Sequence, residues 1–373
     1  MSVDPAVLPA SGGSVTLPIG DFITEAGVPV PGAMLRLFAF YGGTAHDAAT
    51  RPVILVEHAL TGDGDAADWW PGIIGPGLAL DTDRYLVLCA NCLGGCQGST
   101  GPASPHPDGG FWGSRFPALS IRDLVVAEKQ LVVDALGVER IHGVIGASMG
   151  GARALEWSFL YPEPVEAVLV IAVSARASAW QIGMQSAQIR FITGDPDWNG
   201  GDYHGTGRSP AAGLGQARRI AHLTYRGELE IDERFGTDPQ DGENPYGPYW
   251  STGQRFSVES YLDRQAEKLV DRFDPGSYVV LTDALNRHDI SRGRGGLNHV
   301  LGTSRVPTMV AGVDTDILYP YHQQEHLSRN LGDFIGLSKI TSPTGHDGFL
   351  TETRQMTVIL EKFLTKAELL AQR

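Results

Sequence analysis

The sequence predicts an α/β fold, in which a mostly parallel central sheet is flanked by helices and carries an inserted α-helical lid. Short apolar segments alternate with helical ones in both halves of the chain, and strands separated by helices favour parallel pairing. Between about residues 176 and 298 the alternation stops, and polar helical segments with Gly- and Pro-rich joins replace it. We therefore expect a core in two parts, 1–175 and 299–373, with a lid at 176–298 between them.

The first part of the core contains four apolar segments and two helical ones. One helix is expected near residues 120–136. A second should run from Met149 to about Tyr161, because Pro162 cannot continue a helix. The apolar segments are rich in β-branched residues and predict buried strands at 52–58, 85–91, 141–146 and 167–174.

The second part of the core resumes the same pattern after the lid. Apolar segments at 307–316 and 338–343 predict two further strands. A helix is expected over about 321–331, and another over 354–370 closes the chain.

The composition excludes several classes of function. The chain has 373 residues, of which 42% are hydrophobic and 19% charged, and its formal net charge is -14. This balance argues against a nucleic-acid partner or an anionic membrane surface. The N-terminal segment has no basic region, and no run approaches the roughly 20 apolar residues that span a bilayer. We therefore expect a cytoplasmic protein.

Three cysteines, Cys89, Cys92 and Cys96, lie in the stretch CANCLGGCQGST. The first two have the CxxC spacing of zinc sites, but no second CxxC follows, and the nearest histidine, His106, lies in a Pro/Gly-rich loop. We interpret the stretch as small residues after a strand and expect neither a metal nor a tightly bound cofactor. An odd number of cysteines in one short segment also fits a reducing compartment.

Ser148 lies at a predicted strand-to-helix turn, in the pattern Gly146-Ala147-Ser148-Met149-Gly150. This pattern resembles the nucleophile elbow of α/β-hydrolases, where small residues on either side of the serine let strand and helix pack closely. The amide of Met149 opens a helix, where a developing oxyanion is stabilised. We expect Ser148 to be a nucleophile and the lid to cover it.

A serine nucleophile needs a base, and the base needs an orienting acid, which follow in the chain order Ser, Asp/Glu, His. His346, in TSPTGHDGF after the last predicted strand, is the best placed base, whereas His58 precedes the serine. The acid is Asp314 or Asp316 in AGVDTDILYP. The acid usually stands a few residues before a proline that opens the next helix. The position of Pro320 therefore favours Asp316, and Asp314 would shape the loop.

The oxyanion hole needs a second amide in addition to that of Met149, from the loop after an early strand. The segment EHALTGDGDAADWW supplies such a loop. We expect Leu60 to provide the donor, with Thr61 as the alternative.

Several segments together resemble homoserine O-acetyltransferases, a family of the α/β-hydrolase superfamily. The resemblance covers about residues 20–365, core and lid alike, and the lid segments are more specific than the GxSxG pattern. It implies transfer of acetyl from acetyl-CoA to the hydroxyl of L-homoserine, in methionine synthesis. The segments are EHALTGDGDAADWW, LGGCQGSTGPASPHPDG, FPALSIRDLVVAEKQLVVDALG, GASMGGARALEW, SARASAWQIGMQSAQIR, GLGQARRIAHLTYRGELEIDERFG, VDTDILYP and GHDGFLTE.

The resemblance also implies roles for single residues. Ser148, Asp316 and His346 match the family's triad, and Arg218 and Asp347 match its homoserine-binding residues. Homoserine is a zwitterion, so Arg218 can bind its carboxylate through two parallel hydrogen bonds while Asp347 binds its ammonium. Family members are homodimers joined through the lid, so we expect a homodimer.

Two positions depart from the family pattern. Ala147 stands where many members have glycine, and a small residue is kept there. Cys92 stands where an aliphatic residue is expected, and neither change affects a candidate catalytic residue.

Three alternative functions stay open from the residues. The donor could be succinyl-CoA, or the acceptor serine, because the pocket residues that decide this cannot be placed from sequence. A plain esterase or thioesterase could use the same triad. A non-catalytic binding protein of this fold is disfavoured, because such proteins usually lose a member of the triad.

Overall fold

The computed structural model describes residues 3–248 and 253–371. Within these residues the chain forms ten strands, eight of which make one sheet while the two shortest pair separately. The strands are β1 (Ser14–Ile23), β2 (Pro29–Phe40), β3 (Val53–Glu57), β4 (Ile74–Gly75), β5 (Leu80–Asp81), β6 (Leu86–Ala90), β7 (Ile141–Ala147), β8 (Val168–Ile171), β9 (Thr308–Val313) and β10 (Phe334–Ile340).

Helices connect most of these strands. Turns of 3₁₀-helix occur at Gly113–Arg115, Pro196–Gly201 and Gly345–Asp347, and a π-helix at Gln130–Ala135 prolongs the third α-helix. The α-helices are α1 (Ala45–Ala48), α2 (Ala66–Trp69), α3 (Ile121–Lys129), α4 (Met149–Leu160), α5 (Ala179–Thr193), α6 (Ala211–Tyr225), α7 (Glu228–Phe235), α8 (Ser257–Val270), α9 (Pro275–Asn286), α10 (Leu297–Gly302), α11 (Tyr321–Asn330), α12 (Gly348–Thr351) and α13 (Thr353–Ala371).

The main sheet has the order β1-β2-β6-β3-β7-β8-β9-β10. From β6 to β10 all neighbours are parallel, whereas β1 and β2 run antiparallel at one edge. The prediction of a mostly parallel sheet flanked by helices is confirmed. The two antiparallel strands were not predicted, because Pro18 and Gly20 interrupt the period of two and coincide with register shifts in β1.

Side chains on successive strand positions enter two separate hydrophobic clusters, one on each face of the sheet. Val53 and Leu55 of β3 join the cluster that includes α3 and α4. Ile54 and Val56 join the cluster that includes α13. Because both faces of the central strands are covered, their sequences are apolar at every position rather than alternating.

The segment between β8 and β9 contains α5 to α10, in the region where the sequence predicts the lid. Helix α5 packs on α6 and α9, and α6 packs on α8. The junction of α6 and α7 reaches the core, since a side-chain carbon at Gly227 would collide with the carbonyl of Pro343. Helix α10 spans the predicted boundary at 298 and packs on α11. The division at residues 176 and 298 stays a prediction.

Candidate active site

Ser148 lies on the tight turn between β7 and α4. Its backbone has φ 56° and ψ −121°, a conformation that L-residues rarely adopt and that is held only by surrounding structure. The turn needs glycine nearby, because a side-chain carbon at Gly150 would collide with the carbonyl oxygen of Glu57, and one at Gly146 would collide with Gly150. The geometry is that of the nucleophile elbow expected from the sequence.

His346 and Asp316 are joined by a hydrogen bond of 2.6 Å between Nδ1 and Oδ2. The other carboxylate oxygen of Asp316 accepts hydrogen bonds from the amides of Leu318 and Tyr319, both at 2.8 Å. These bonds fix the carboxylate, which in turn orients the imidazole. Within the described residues, the buried Nε2 of His346 has no hydrogen-bond partner, so it is available to a serine hydroxyl.

Asp314, the alternative acid, makes a different contact. It is exposed, and its Oδ1 accepts a hydrogen bond of 3.1 Å from the amide of Ser342. Asp314 thus joins the loop after β9 to the loop after β10. The structure brings Asp316, and not Asp314, to the histidine.

The surroundings of His346 have opposing effects on its pKa. Burial lowers the pKa, while the charge and hydrogen bond of Asp316 and the charge of Asp347 raise it, and the net direction is upward. Tyr225, Tyr319 and Phe349 surround the ring at centroid distances of 5.8, 5.5 and 5.5 Å. An imidazolium formed at this position would therefore be stabilised by Asp316 rather than by water.

The two candidate oxyanion donors are the main-chain amides of Leu60 and Met149. Leu60 is buried in the loop after β3, and Met149 opens α4. Neither amide donates a hydrogen bond within residues 3–248 and 253–371. Both are therefore free to bind an oxyanion, and their pairing stays a prediction. Thr61, the alternative donor, accepts a hydrogen bond of 3.5 Å from Arg218 at its hydroxyl.

Arg218 reaches the site from helix α6. Its guanidinium lies 5.5 Å from the ring centroid of Tyr225, and its Nε is buried without a hydrogen-bond partner among the described residues. In the same part of the chain it forms no ion pair with a carboxylate, although its charge lowers the pKa of Asp347. A half-buried guanidinium that forms no ion pair in the described part of the chain is a suitable site for a substrate carboxylate.

Asp347 follows His346 directly and has a cationic neighbour that the sequence analysis did not identify. Nη1 of Arg226 lies 3.7 Å from Oδ2 of Asp347, and Arg226 is also bound to Glu230, with Nη2 to Oε1 at 2.6 Å. Burial raises the pKa of Asp347, while the charges of His346, Arg218 and Arg226 oppose that rise. A substrate ammonium at Asp347 would therefore share this carboxylate with Arg226.

Tyr225 is a further residue of the site that the sequence analysis missed. It follows Arg218 by seven residues on α6, so both side chains face the same side of the helix. That spacing is the signal in the sequence that could have identified it. Burial raises the pKa of its hydroxyl, which therefore stays protonated.

The cysteine stretch lies beside the oxyanion loop and has no metal-binding partners. Among the described residues, no three His, Cys, Asp or Glu side chains are placed to hold a metal ion. Cys89 and Cys92 are buried, and burial raises the pKa of the Cys92 thiol to about 12. Burial of this kind makes a thiol unreactive.

The chain is similar in sequence to a protein-family model and to bacterial enzymes. The family described as alpha/beta hydrolase fold matches residues 52–353. A homoserine O-acetyltransferase of Corynebacterium jeikeium is 69% identical, over 99% of this chain and 97% of that protein. No helix in the described part of the chain has both the length and the apolar character needed to cross a bilayer.

Solved structures agree on the fold. A homoserine O-acetyltransferase from Bacillus anthracis has a TM-score of 0.83 at 23% identity, covering 94% of this chain and 97% of that one. Esterase E22 has a TM-score of 0.84 at 24% identity, covering 94% and 99%. At such identities the likeness shows the fold alone, and the two proteins are named for different reactions.

Proposed function

Because this chain belongs to the homoserine O-acetyltransferase family of the α/β-hydrolase fold, we propose that Ser148, Asp316 and His346 carry out the family's reaction here. That reaction transfers the acetyl group of acetyl-CoA to the hydroxyl of L-homoserine, an early step of methionine synthesis. The observations that carry the assignment of residues are the buried Asp316–His346 pair, whose Nε2 has no partner among the described residues, and the elbow conformation of Ser148.

In the first half-reaction His346 accepts the hydroxyl proton of Ser148 as the serine oxygen attacks the thioester carbonyl. The tetrahedral oxyanion binds the amides of Leu60 and Met149. The carbon–sulfur bond then breaks, and His346 protonates the departing thiolate. Free CoA and acetyl-Ser148 result.

In the second half-reaction homoserine occupies the position that CoA has left. His346 accepts the proton of the homoserine hydroxyl, whose oxygen attacks acetyl-Ser148 through a second oxyanion in the same two amides. Collapse breaks the bond to the serine oxygen, and His346 returns the proton to Ser148. The products are O-acetyl-L-homoserine and free enzyme.

Burial of the triad supports transfer rather than hydrolysis. Ser148, Asp316 and His346 have exposed fractions of 6%, 4% and 3%. An acetyl group on Ser148 is therefore shielded from bulk water until the acceptor displaces it. The junction of α6 and α7 contributes to this cover through its contact with the loop before His346.

The acceptor's two charges have complementary partners in the site. Arg218, which forms no ion pair among the described residues, provides a guanidinium for the carboxylate, and Asp347 provides a carboxylate for the ammonium. Acetyl-CoA acts as a co-substrate and not as a bound cofactor. We also propose that the protein is a homodimer joined through its lid helices, and that it works in the cytoplasm, where its unpaired cysteines would stay reduced.

The test of this function is capture of the covalent intermediate. Wild-type protein quenched rapidly after mixing with acetyl-CoA should gain one acetyl group on the peptide that contains Ser148. Ser148→Ala should gain none and form no product, and initial-rate plots should be parallel lines. An adduct elsewhere, or intersecting lines, would contradict the covalent route.

The same assay separates the alternative reactions. Acetyl-CoA and succinyl-CoA are offered in turn with homoserine, serine or water as acceptor. O-acetylhomoserine should form at least tenfold faster than any other product. Faster hydrolysis would identify an esterase or thioesterase, and faster succinylation a different transferase.

A further inference from the structure

A buried charged cluster lies beneath the elbow and takes no part in the mechanism above. It consists of Glu57, Glu128, Arg153 and Trp157, which are at most 1% exposed, and we call it the Arg153 cluster. Arg153 donates to Glu128 at 2.8 Å and forms an ion pair with Glu57, while the indole of Trp157 donates to Glu128 at 2.9 Å. Buried ion pairs rarely stabilise a fold more than apolar packing does, so stability alone does not account for the cluster.

The cluster connects the two chain segments that supply the candidate oxyanion donors. Glu57 is the last residue of β3 and precedes Leu60 by three positions. Arg153 lies on the second turn of α4, four residues after Met149. The ion pair between Glu57 and Arg153 thus links the strand before one amide to the helix that begins with the other.

The backbone contacts between the same two segments are equally close. The carbonyl oxygen of Glu57 lies so near Gly150 that a side-chain carbon there would collide with it. The main chain of Glu57 therefore abuts the first turn of α4, while its side chain binds the second turn. Two contacts of this kind fix both the distance and the rotation between strand and helix.

The loop from Glu57 to Leu60 is also restrained by His58, the residue that follows Glu57. Burial and the charge of Arg153 lower the pKa of His58 to about 3, so the ring is neutral at neutral pH. Its two ring contacts fit one neutral tautomer, in which Nδ1 donates to the carbonyl of Ala59 at 2.8 Å and Nε2 accepts from the amide of Cys92 at 3.2 Å. His58 thereby restrains the loop in front of Leu60.

We propose that the pair Glu57–Arg153 positions the oxyanion hole by fixing the amide of Leu60 relative to the amide of Met149. The proposal rests on the covalent transfer through Ser148 described above. A donor displaced by a fraction of an ångström stabilises the transition state less, but it does not change how the substrate's distant parts bind. The expected signature is a lower rate of acetylation at unchanged affinity for CoA.

The test compares Glu57→Met with Glu128→Met. Each variant removes one carboxylate of the cluster and leaves the other to balance Arg153, but only Glu57 belongs to the strand that leads into the oxyanion loop. Single-turnover acetylation of Ser148 should be roughly 30- to 300-fold slower in Glu57→Met, because loss of one oxyanion donor is worth about 10²- to 10³-fold. In Glu128→Met it should stay within about threefold of wild type.

Further measurements separate positioning from a general loss of structure. The Kd of CoA should change less than about threefold in both variants, and labelling by a fluorophosphonate, which also places an oxygen in the hole, should slow in parallel with acetylation. If acetylation falls equally in both variants, or is unchanged in Glu57→Met, the proposal is wrong. If wild type is not acetylated on Ser148, the proposed function fails instead.

A milder variant keeps the test decisive if Glu57→Met does not fold. Glu57→Gln has the same length and replaces one carboxyl oxygen with an NH₂ group, which cannot accept a hydrogen bond from Arg153. Burial and the charge of Glu128 raise the pKa of Glu57 well above its usual range, against the charge of Arg153, so this variant tests the contact rather than the charge alone. Acetylation should slow at least about fivefold, with the affinity for CoA unchanged. An unchanged rate in the folded protein would overturn the proposal.

Discussion

Replacing Asp316 with asparagine alters one atom of the charged pair and tests the acid directly. The side-chain oxygen of asparagine can still accept the hydrogen bonds that Asp316 takes from Leu318 and Tyr319. Its NH₂ group then faces Nδ1 of His346 in place of the oxygen that lies 2.6 Å away. Nδ1 must now accept, so Nε2 carries the proton and cannot take one from Ser148.

The size of the effect follows from the role of the acid. In a serine triad the same change selects the wrong tautomer and lowers turnover by about 10⁴-fold, or about 5 kcal/mol at 1.36 kcal/mol for each factor of ten. Turnover should fall by about this factor, and both half-reactions should be affected, because His346 moves a proton in each.

The pH profile gives an independent readout. The charge and hydrogen bond of Asp316 raise the pKa of His346 against the effect of burial. Without that charge burial dominates and the pKa falls, so the acid limb of the residual rate should move to lower pH. A limb that moves upward would contradict this account of the site.

Asp314→Asn is the matched control, since it makes the same chemical change two residues away. Asparagine can also accept the hydrogen bond that the Ser342 amide donates to Asp314, so turnover should change less than about threefold. The assay follows the burst of free CoA and then O-acetylhomoserine. The reverse ranking in folded variants would assign the role to Asp314.

The remaining predictions concern the acceptor. Arg218→Ala should slow transfer to homoserine by about 30- to 1000-fold, or roughly 2–4 kcal/mol, with rescue by lysine only in part and with acetylation of Ser148 changed much less. Equal damage to both steps would mean that Arg218 binds CoA or supports the lid. Asp347→Asn should raise the KM for homoserine by about 10- to 150-fold, as expected for one charge-assisted contact of about 1.5–3 kcal/mol. An unchanged KM would remove Asp347 from the acceptor site.

The elbow and its partners could be predicted because each depends on local sequence. Gly146 is required by a contact with Gly150 inside the strand–turn–helix unit, although Gly150 is also required by the neighbouring strand, through the carbonyl of Glu57. The order of the triad follows from the order of the strands, since Asp316 and His346 each lie on the loop after a strand. The choice of Asp316 over Asp314 needed only the distance to Pro320, and the hydrogen bond to His346 agrees with it.

Contacts between distant segments could not be predicted in the same way. The partner of Asp347 is Arg226, which follows α6 and lies far from Asp347 along the chain. Arg153 appears in the sequence as one charged residue in a helix, and nothing nearby indicates that Glu57 and Glu128 meet it in the interior. Such pairings depend on how the elements pack and not on spacing along the chain.

The same fold and the same triad can support hydrolysis or transfer, so what separates the two must lie outside the triad. Two features of this chain act on the acetyl-enzyme rather than on its formation. Burial shields Ser148 from bulk water, and the proposed acceptor residues, Arg218 and Asp347, carry opposite charges that are close enough to interact. An acceptor that carries both charges binds through contacts that water cannot make. The free energy of those contacts offsets the entropy lost when its hydroxyl is oriented toward the acetyl group. Transfer is therefore favoured by residues outside the triad, on helix α6 and on the loop after β10, while the turn between β7 and α4 supplies the nucleophile.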